Sequence, residues 1–233
     1  MTPTAAAMTS QAPGSVEITD RSILDAFTAK PDNPFLISFP RTGSHWLRMI
    51  MELYFERPSL VRAFYYPQST TFTCVHRHDV ELTIRRSNVI YLYRHPVDTV
   101  YSQLAYHRQE PDDAERIRYW ATLYGRHLAK WLLADDFTTK KTVLTYEGLQ
   151  KEIGGEFRKL CAHLDAPFDD AKLREAAARV SKEEVKRKTG HDAQVMQLDT
   201  AYQERKFLFK ELFTPMIRET LFAQHRELER VFP

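Results

Sequence analysis

Hydrophobic and polar positions along this chain change period several times, and each change marks an element. The run at 88–93, Asn-Val-Ile-Tyr-Leu-Tyr, is unbroken apolar sequence of the kind found in a buried parallel strand. Shorter stretches at 35–39, 70–76 and 142–146 also read as strands, the second of these rich in Thr, Phe, Cys and Val. Between them the period turns helical. Leu47, Ile50, Leu53 and Tyr54 share one side of a helix over 44–55 that Pro58 ends. Pro96 stands where a helix begins, and Val97, Val100, Tyr101 and Leu104 give it one buried face. Asp112 and Asp113 open a longer helix, with Ile117, Trp120, Tyr124, Leu128 and Trp131 at helical spacing to 133. Pro167 separates two further helices, over 153–164 and 169–180. The stretch 181–199 is polar and without period. From 202 to 232 the pattern is helical again and is interrupted at Pro215. Strands alternating with helices predict a single α/β domain with a central parallel sheet flanked by helices.

Composition narrows this picture. The chain has 233 residues, 43% of them hydrophobic, enough for one sizeable core. A net charge of +2 is too small a bias to imply nucleic-acid binding. Residues 1–20 are rich in Ala, Thr, Ser and Pro and contain no Lys or Arg, so they read as a disordered tail ahead of a domain over 21–233, rather than a secretion signal. No apolar stretch approaches the length of a transmembrane helix. The two cysteines, Cys74 and Cys161, form no metal-binding spacing and fit a reducing, cytoplasmic setting.

Two strand-to-helix junctions carry the chemistry. In the first, Pro40-Arg41-Thr42-Gly43-Ser44-His45-Trp46 joins strand to helix. Gly43 allows a tight turn and close approach to a ligand. Thr42, Ser44 and His45 offer donors beside the N–H groups of the helix start, Arg41 adds positive charge, and Trp46 offers a flat face for a base. In the second, Arg94, Pro96, Asp98 and Ser102 follow the strongest strand. A guanidinium at the carboxyl end of a parallel strand, with a hydroxyl further along the helix, suits a phosphate monoester. Each has a plainer reading when taken singly: a turn with a buried Trp, an Arg94–Asp98 ion pair, a Ser102 hydroxyl bonded to its own helix. Together, two anion grips imply a ligand with two anionic ends.

The first junction resembles the 5′-phosphosulfate loop of sulfotransferases that use 3′-phosphoadenosine 5′-phosphosulfate (PAPS), commonly Pro-Lys-Ser-Gly-Thr-Thr-Trp. Arg41 stands for the usual Lys and His45 for a Thr. The second junction resembles the family's 3′-phosphate motif. The resemblance implies a P-loop-like, nucleotide-kinase-like sulfotransferase fold, PAPS as co-substrate, adenosine 3′,5′-bisphosphate (PAP) as product, and no metal. It implies that Arg41, Thr42, Gly43, Ser44 and His45 hold the 5′ end, with Arg41 also stabilising the leaving phosphate. Arg94 and Ser102 would hold the 3′-phosphate, and Trp46 and Tyr146 the adenine. Arg187 and Lys188 resemble a late Arg-Lys-Gly loop that closes over the 3′-phosphate, with the glycine displaced by one.

A base is needed to take the acceptor's proton, and histidine suits that task. His78, followed by Asp79, is the nearer match to the family's base, His76 the second choice, and a mechanism using neither stays open. The acceptor is a hydroxyl of a small molecule, lipid or carbohydrate. Residues 210–219 resemble a family dimerisation pattern, with Pro215 in a Val place, so a homodimer is expected as one possibility. The rivals are a small-molecule kinase, though the chain has no GxxxxGK[ST], and a non-catalytic PAP-binding protein.

Overall fold

Val89, Ile90, Tyr91 and Leu92 are buried, and in the computed structural model their run pairs on both edges within a parallel sheet. Residues 14–136, 138–190 and 200–233 are described, apart from the side chain of residue 200. The strands are β1 (Val16–Glu17), β2 (Phe35–Ser38), β3 (Arg62–Ala63), β4 (Val75–Arg77), β5 (Asn88–Tyr93) and β6 (Lys140–Thr145). The helices are α1 (Arg21–Thr28), α2 (Ser44–Phe55), α3 (Pro96–Tyr106), α4 (Ala114–Leu128), α5 (Tyr146–Lys151), α6 (Ile153–His163), α7 (Asp170–Arg179), α8 (Lys182–Thr189) and α9 (Thr200–Gln224). The central sheet has the order β4-β2-β5-β6 and is parallel throughout. The predicted α/β architecture is the observed one.

Side chains alternate across this sheet, and each face builds its own core. Phe35, Ile37, Val89 and Tyr91 meet the apolar faces of α3, α4 and α9. Leu36, Ile90, Leu92 and Leu144 meet α2, α6 and α7. The result is a three-layer sandwich in which the carboxyl ends of all four strands open on one edge. Full burial of each large side chain in these layers is worth about 1.5–3 kcal/mol.

Four expectations are corrected. The strand over 70–76 shrinks to Val75–Arg77. Its earlier part bonds to the loop after α2, with Thr73 N–H donating to Pro58 O at 2.9 Å and Leu60 N–H to Cys74 O at 2.7 Å. Pro58 has no N–H, so this pairing cannot extend into a ladder. The stretch 181–189, read as irregular, contains α8, whose Ser181 hydroxyl caps the Glu184 N–H. Pro215 does not interrupt α9. Pro215 and Glu211, whose carbonyl loses its partner, both lie on the exposed side, where solvent can reach that carbonyl. Finally, the segment expected as a tail over 1–20 contains ordered residues: Val16 and Glu17 pair antiparallel with Ala63 and Arg62, and Asp20 caps α1. Residues 1–13 lie outside the described residues. Among the described residues no helix is long and apolar enough to cross a membrane.

Candidate functional site

Each strand of the sheet delivers a residue to the edge where ligands of open α/β sheets collect. β2 leads into 40–46, β5 into Arg94, β6 into Tyr146 and β4 into His78. In the first loop Arg41 adopts φ 71° and Gly43 φ 92°, two left-handed residues with Thr42 between them. The carbonyls of this loop are engaged. Thr42 Oγ1 donates to Phe39 O at 2.8 Å, Gln103 Nε2 to Pro40 O at 3.1 Å and Arg94 Nη1 to Arg41 O at 3.3 Å. The ladder of α2 starts with Leu47 N–H on Gly43 O at 3.2 Å, so the N–H groups of Ser44, His45 and Trp46 precede it. They present the positive end of the helix dipole to an anion. Thr42 is fully buried and its hydroxyl is used inside the loop, so its side chain is not the ligand donor the sequence predicted.

Arg94 ties the two loops together. Its backbone is clamped by Tyr124, whose hydroxyl accepts from Arg94 N–H at 3.0 Å and donates to Arg94 O at 2.7 Å. Its guanidinium lies 4.5 Å from the centre of the Tyr146 ring, an attraction of cation and ring quadrupole. Its Nε is buried and has no hydrogen-bond partner among the described residues. The same Tyr146 ring covers Gly43, where an added Cβ would stand 2.5 Å from Tyr146 Cδ2. Trp46 meets Tyr146 edge-on at 5.8 Å, and its Nε1 donates to Val180 O at 3.3 Å. Thus Arg41, Gly43, Trp46, Arg94 and Tyr146 form one connected group. Ser102 is buried on α3, one turn beyond Asp98. Asp98 is 3.8 Å from Arg94 and also meets Lys206 at 2.6 Å and Lys210 at 2.9 Å. Burial pushes its carboxyl up, but Lys206, Arg94 and Lys210 outweigh burial and hold it below the usual value.

The three histidines near the loop differ in what their nitrogens do. His76 Nδ1 faces Arg48 Nη1 at 3.5 Å and its Nε2 faces Ser38 Oγ at 3.0 Å. A guanidinium only donates, so Nδ1 accepts and Nε2 carries the proton. His78 Nδ1 lies 2.7 Å from Ser38 O, which only accepts, so here Nδ1 carries the proton and Nε2 keeps its lone pair. The His78 carbonyl is fixed in turn by His127 Nε2 at 2.7 Å. Burial is the chief cause that lowers the pKa of His78, against the Ser38 hydrogen bond that raises it. Burial, then Arg48, drives His76 well below its ordinary range. Burial and the neighbouring Arg48, Arg62 and Arg41 push His45 down to about 3, so its ring is neutral near pH 7. Asp79 does not support His78 directly; it is ion-paired with Arg86 at 2.9 Å.

Arg187 and Lys188 correct another expectation. They stand on α8, not on a closing loop, and their cations are engaged there. Arg187 grips the Glu184 carboxylate through Nε at 2.7 Å and Nη2 at 2.8 Å. Lys188 is buried and donates to Phe64 O at 2.6 Å. Sequence reasoning also missed the supports of the site. Tyr124, Gln103, and Glu147, which accepts from His95 N–H at 3.0 Å, act from other elements and have no local signature.

The family model described as the sulfotransferase domain matches residues 70–214, a span that holds His76, His78 and the Arg94 loop and begins after the first loop. Among solved structures, the mouse sulfotransferase SULT7A1 complexed with PAP aligns with a TM-score of 0.52 at 19% identity, covering 88% of this chain and 92% of that one. Retinol dehydratase in complex with androsterone and inactive cofactor PAP aligns with a TM-score of 0.57 at 14% identity, covering 86% of this chain and 84% of that one. At these identities the likeness is one of fold. No curated protein matches the chain in sequence.

Proposed function

The chain belongs to the sulfotransferase domain family, and from that membership we propose that it moves a sulfuryl group from PAPS to a hydroxyl of a small-molecule, lipid or carbohydrate acceptor. The observation that carries the reading is the Arg94 guanidinium, which bonds to the Arg41 carbonyl and lies against the ring of Tyr146. One side chain thereby fixes the spacing of two anion grips that grow from neighbouring strands.

In this reading the N–H groups at 44–46, the Ser44 hydroxyl and Arg41 hold the 5′-phosphosulfate. Arg94 and Ser102 hold the 3′-phosphate, and Trp46 and Tyr146 flank the adenine. Sulfuryl transfer needs the nucleophile and the leaving oxygen in line and charge met by donors already in place. Arg41 meets the charge on the leaving phosphate and, as a guanidinium, does so without giving up a proton. His78 takes the acceptor's proton. Its Nε2 lone pair, fixed by the Nδ1 bond to Ser38 O, supports this choice, and its lowered pKa keeps it unprotonated near pH 7. His76 has both nitrogens committed to Ser38 and Arg48 and serves to position the strand end. The two buried free thiols, Cys74 and Cys161, fit a cytoplasmic setting.

The test is transfer of labelled sulfate from PAPS across a panel of hydroxyl acceptors, with PAP binding measured separately. His78→Ala is expected to lose at least about 100-fold in turnover while PAP affinity stays within about twofold. His76→Ala is expected to lose stability before turnover. Turnover preserved in His78→Ala removes the base assignment. PAP binding with no acceptor sulfated by the wild type favours the non-catalytic reading.

A further inference from the structure

Tyr106 is the last residue of α3, and it stays 37% exposed while Tyr101 and Leu104 of the same helix are buried. Core packing therefore does not account for its ring. The Arg41 guanidinium does, since its carbon lies 4.7 Å from the ring centre. The backbone of Arg41 is already held, at φ 71° and with its carbonyl accepting from Arg94 Nη1 at 3.3 Å. Its side chain is long and rich in rotamers, so a catalytic guanidinium needs a further contact to choose among them. A ring face attracts a guanidinium through its quadrupole without taking any of its N–H bonds. The ring is itself supported. His107 meets it edge-on at 5.1 Å and stacks on Trp120 at 4.8 Å, and Trp120 Nε1 donates to Gln109 Oε1 at 2.8 Å. One turn earlier on α3, Gln103 Nε2 bonds to Pro40 O at 3.1 Å. The helix thus holds the first loop twice, by a backbone carbonyl and by the cation of Arg41.

We propose that Tyr106 is a positioning residue for sulfuryl transfer. Its ring sets the place of the Arg41 guanidinium, and the two side chains act as one unit against the charge that develops on the leaving phosphate. Donors fixed before the reaction stabilise such charge best, and a small misplacement is costly in rate. The pairing also gives the arginine at 41 a physical reason. Arginine stacks on aromatic faces, whereas lysine is a compact, strongly hydrated charge on a flexible stem. The inference rests on the sulfotransferase reading, which supplies the leaving phosphate that Arg41 meets.

The experiment is a double-mutant cycle on Arg41 and Tyr106 in the full chain. It is read as kcat for transfer of labelled sulfate from PAPS to a hydroxyl acceptor of the panel above, with PAP affinity, acceptor KM and thermal melts measured alongside. Tyr106→Leu should lower kcat about tenfold and leave PAP affinity within about threefold, because the ring acts on charge that appears in the transition state. Tyr106→Phe, which keeps the ring, should recover most of that loss. Arg41→Lys should cost about tenfold in kcat when Tyr106 is present and no more than about twofold when Tyr106→Leu is already in place, the coupling expected of side chains in contact. Additive losses in the cycle overturn the inference. So does a Tyr106→Leu protein whose acceptor KM rises at unchanged kcat, which makes the ring an acceptor contact, or one whose kcat falls only with its melting temperature. These outcomes leave the sulfotransferase reading intact. A wild type that transfers no sulfate from PAPS overturns that reading, and the inference with it.

Discussion

At Gly43 the backbone turns at φ 92° and the Tyr146 ring lies against the missing side chain. The conformation alone disfavours any L side chain, and the ring excludes one sterically. Gly43→Ala is therefore expected to cost about 1–3 kcal/mol of stability and to weaken PAP binding at least about tenfold. Adding Tyr146→Ala removes the collision but not the strained φ, so only part of the loss should return. Unfolding in denaturant together with nucleotide titration checks both; a Gly43→Ala protein with normal stability and affinity contradicts the loop geometry. At this scale the sequence was informative where a residue type had a single use. Gly43, Arg94 and Tyr146 were all singled out from it, and all three meet in the structure. Thr42 was misjudged because a hydroxyl serves a ligand or its own loop equally well, and the Phe39 carbonyl decides between them. His76 and His78 could be ordered only by what their ring nitrogens touch.

Among the elements, the apolar run of β5 and the heptad-like spacing on α3 were read directly, since burial on both faces and on one face leave different periods. Helix α8 was hidden for the opposite reason. It buries Val185 and Lys188 but shows no apolar repeat, and its signature was the Ser181-Lys182-Glu183-Glu184 capping box with basic residues in the last turn. Helix α9 is the sharper case, because proline usually signals a break. Here the helix runs through Pro215, at an exposed position that can do without one hydrogen bond. Pro215→Ala should then restore that bond and raise stability by about 1–2 kcal/mol, the helix-propensity gain less the entropy returned to the unfolded chain. Thermal melts measure it. A neutral or lower melting temperature would show that α9 bends or stops at this residue, as the sequence first implied.

Over the whole molecule, the parallel sheet explains why distant segments make one site. Residues 41–46, 78, 94 and 146 are far apart in the chain, yet they follow four strands that end on the same edge. That much was legible once alternating strands and helices had been recognised. What was not legible is where the late cations turn, because α8 and α9 present similar basic sequence. Only packing separates them: Lys188 turns inward to Phe64, whereas Lys206 and Lys210 turn to Asp98. The account depends on two grips that hold opposite ends of one nucleotide. A crystal structure of the PAP complex tests this most directly. The 5′-phosphate should accept hydrogen bonds from the N–H groups at 44–46 and the 3′-phosphate should lie against the Arg94 guanidinium. A bound PAP whose 3′-phosphate lies away from Arg94, or which leaves the turn at Gly43 unfilled, would contradict it.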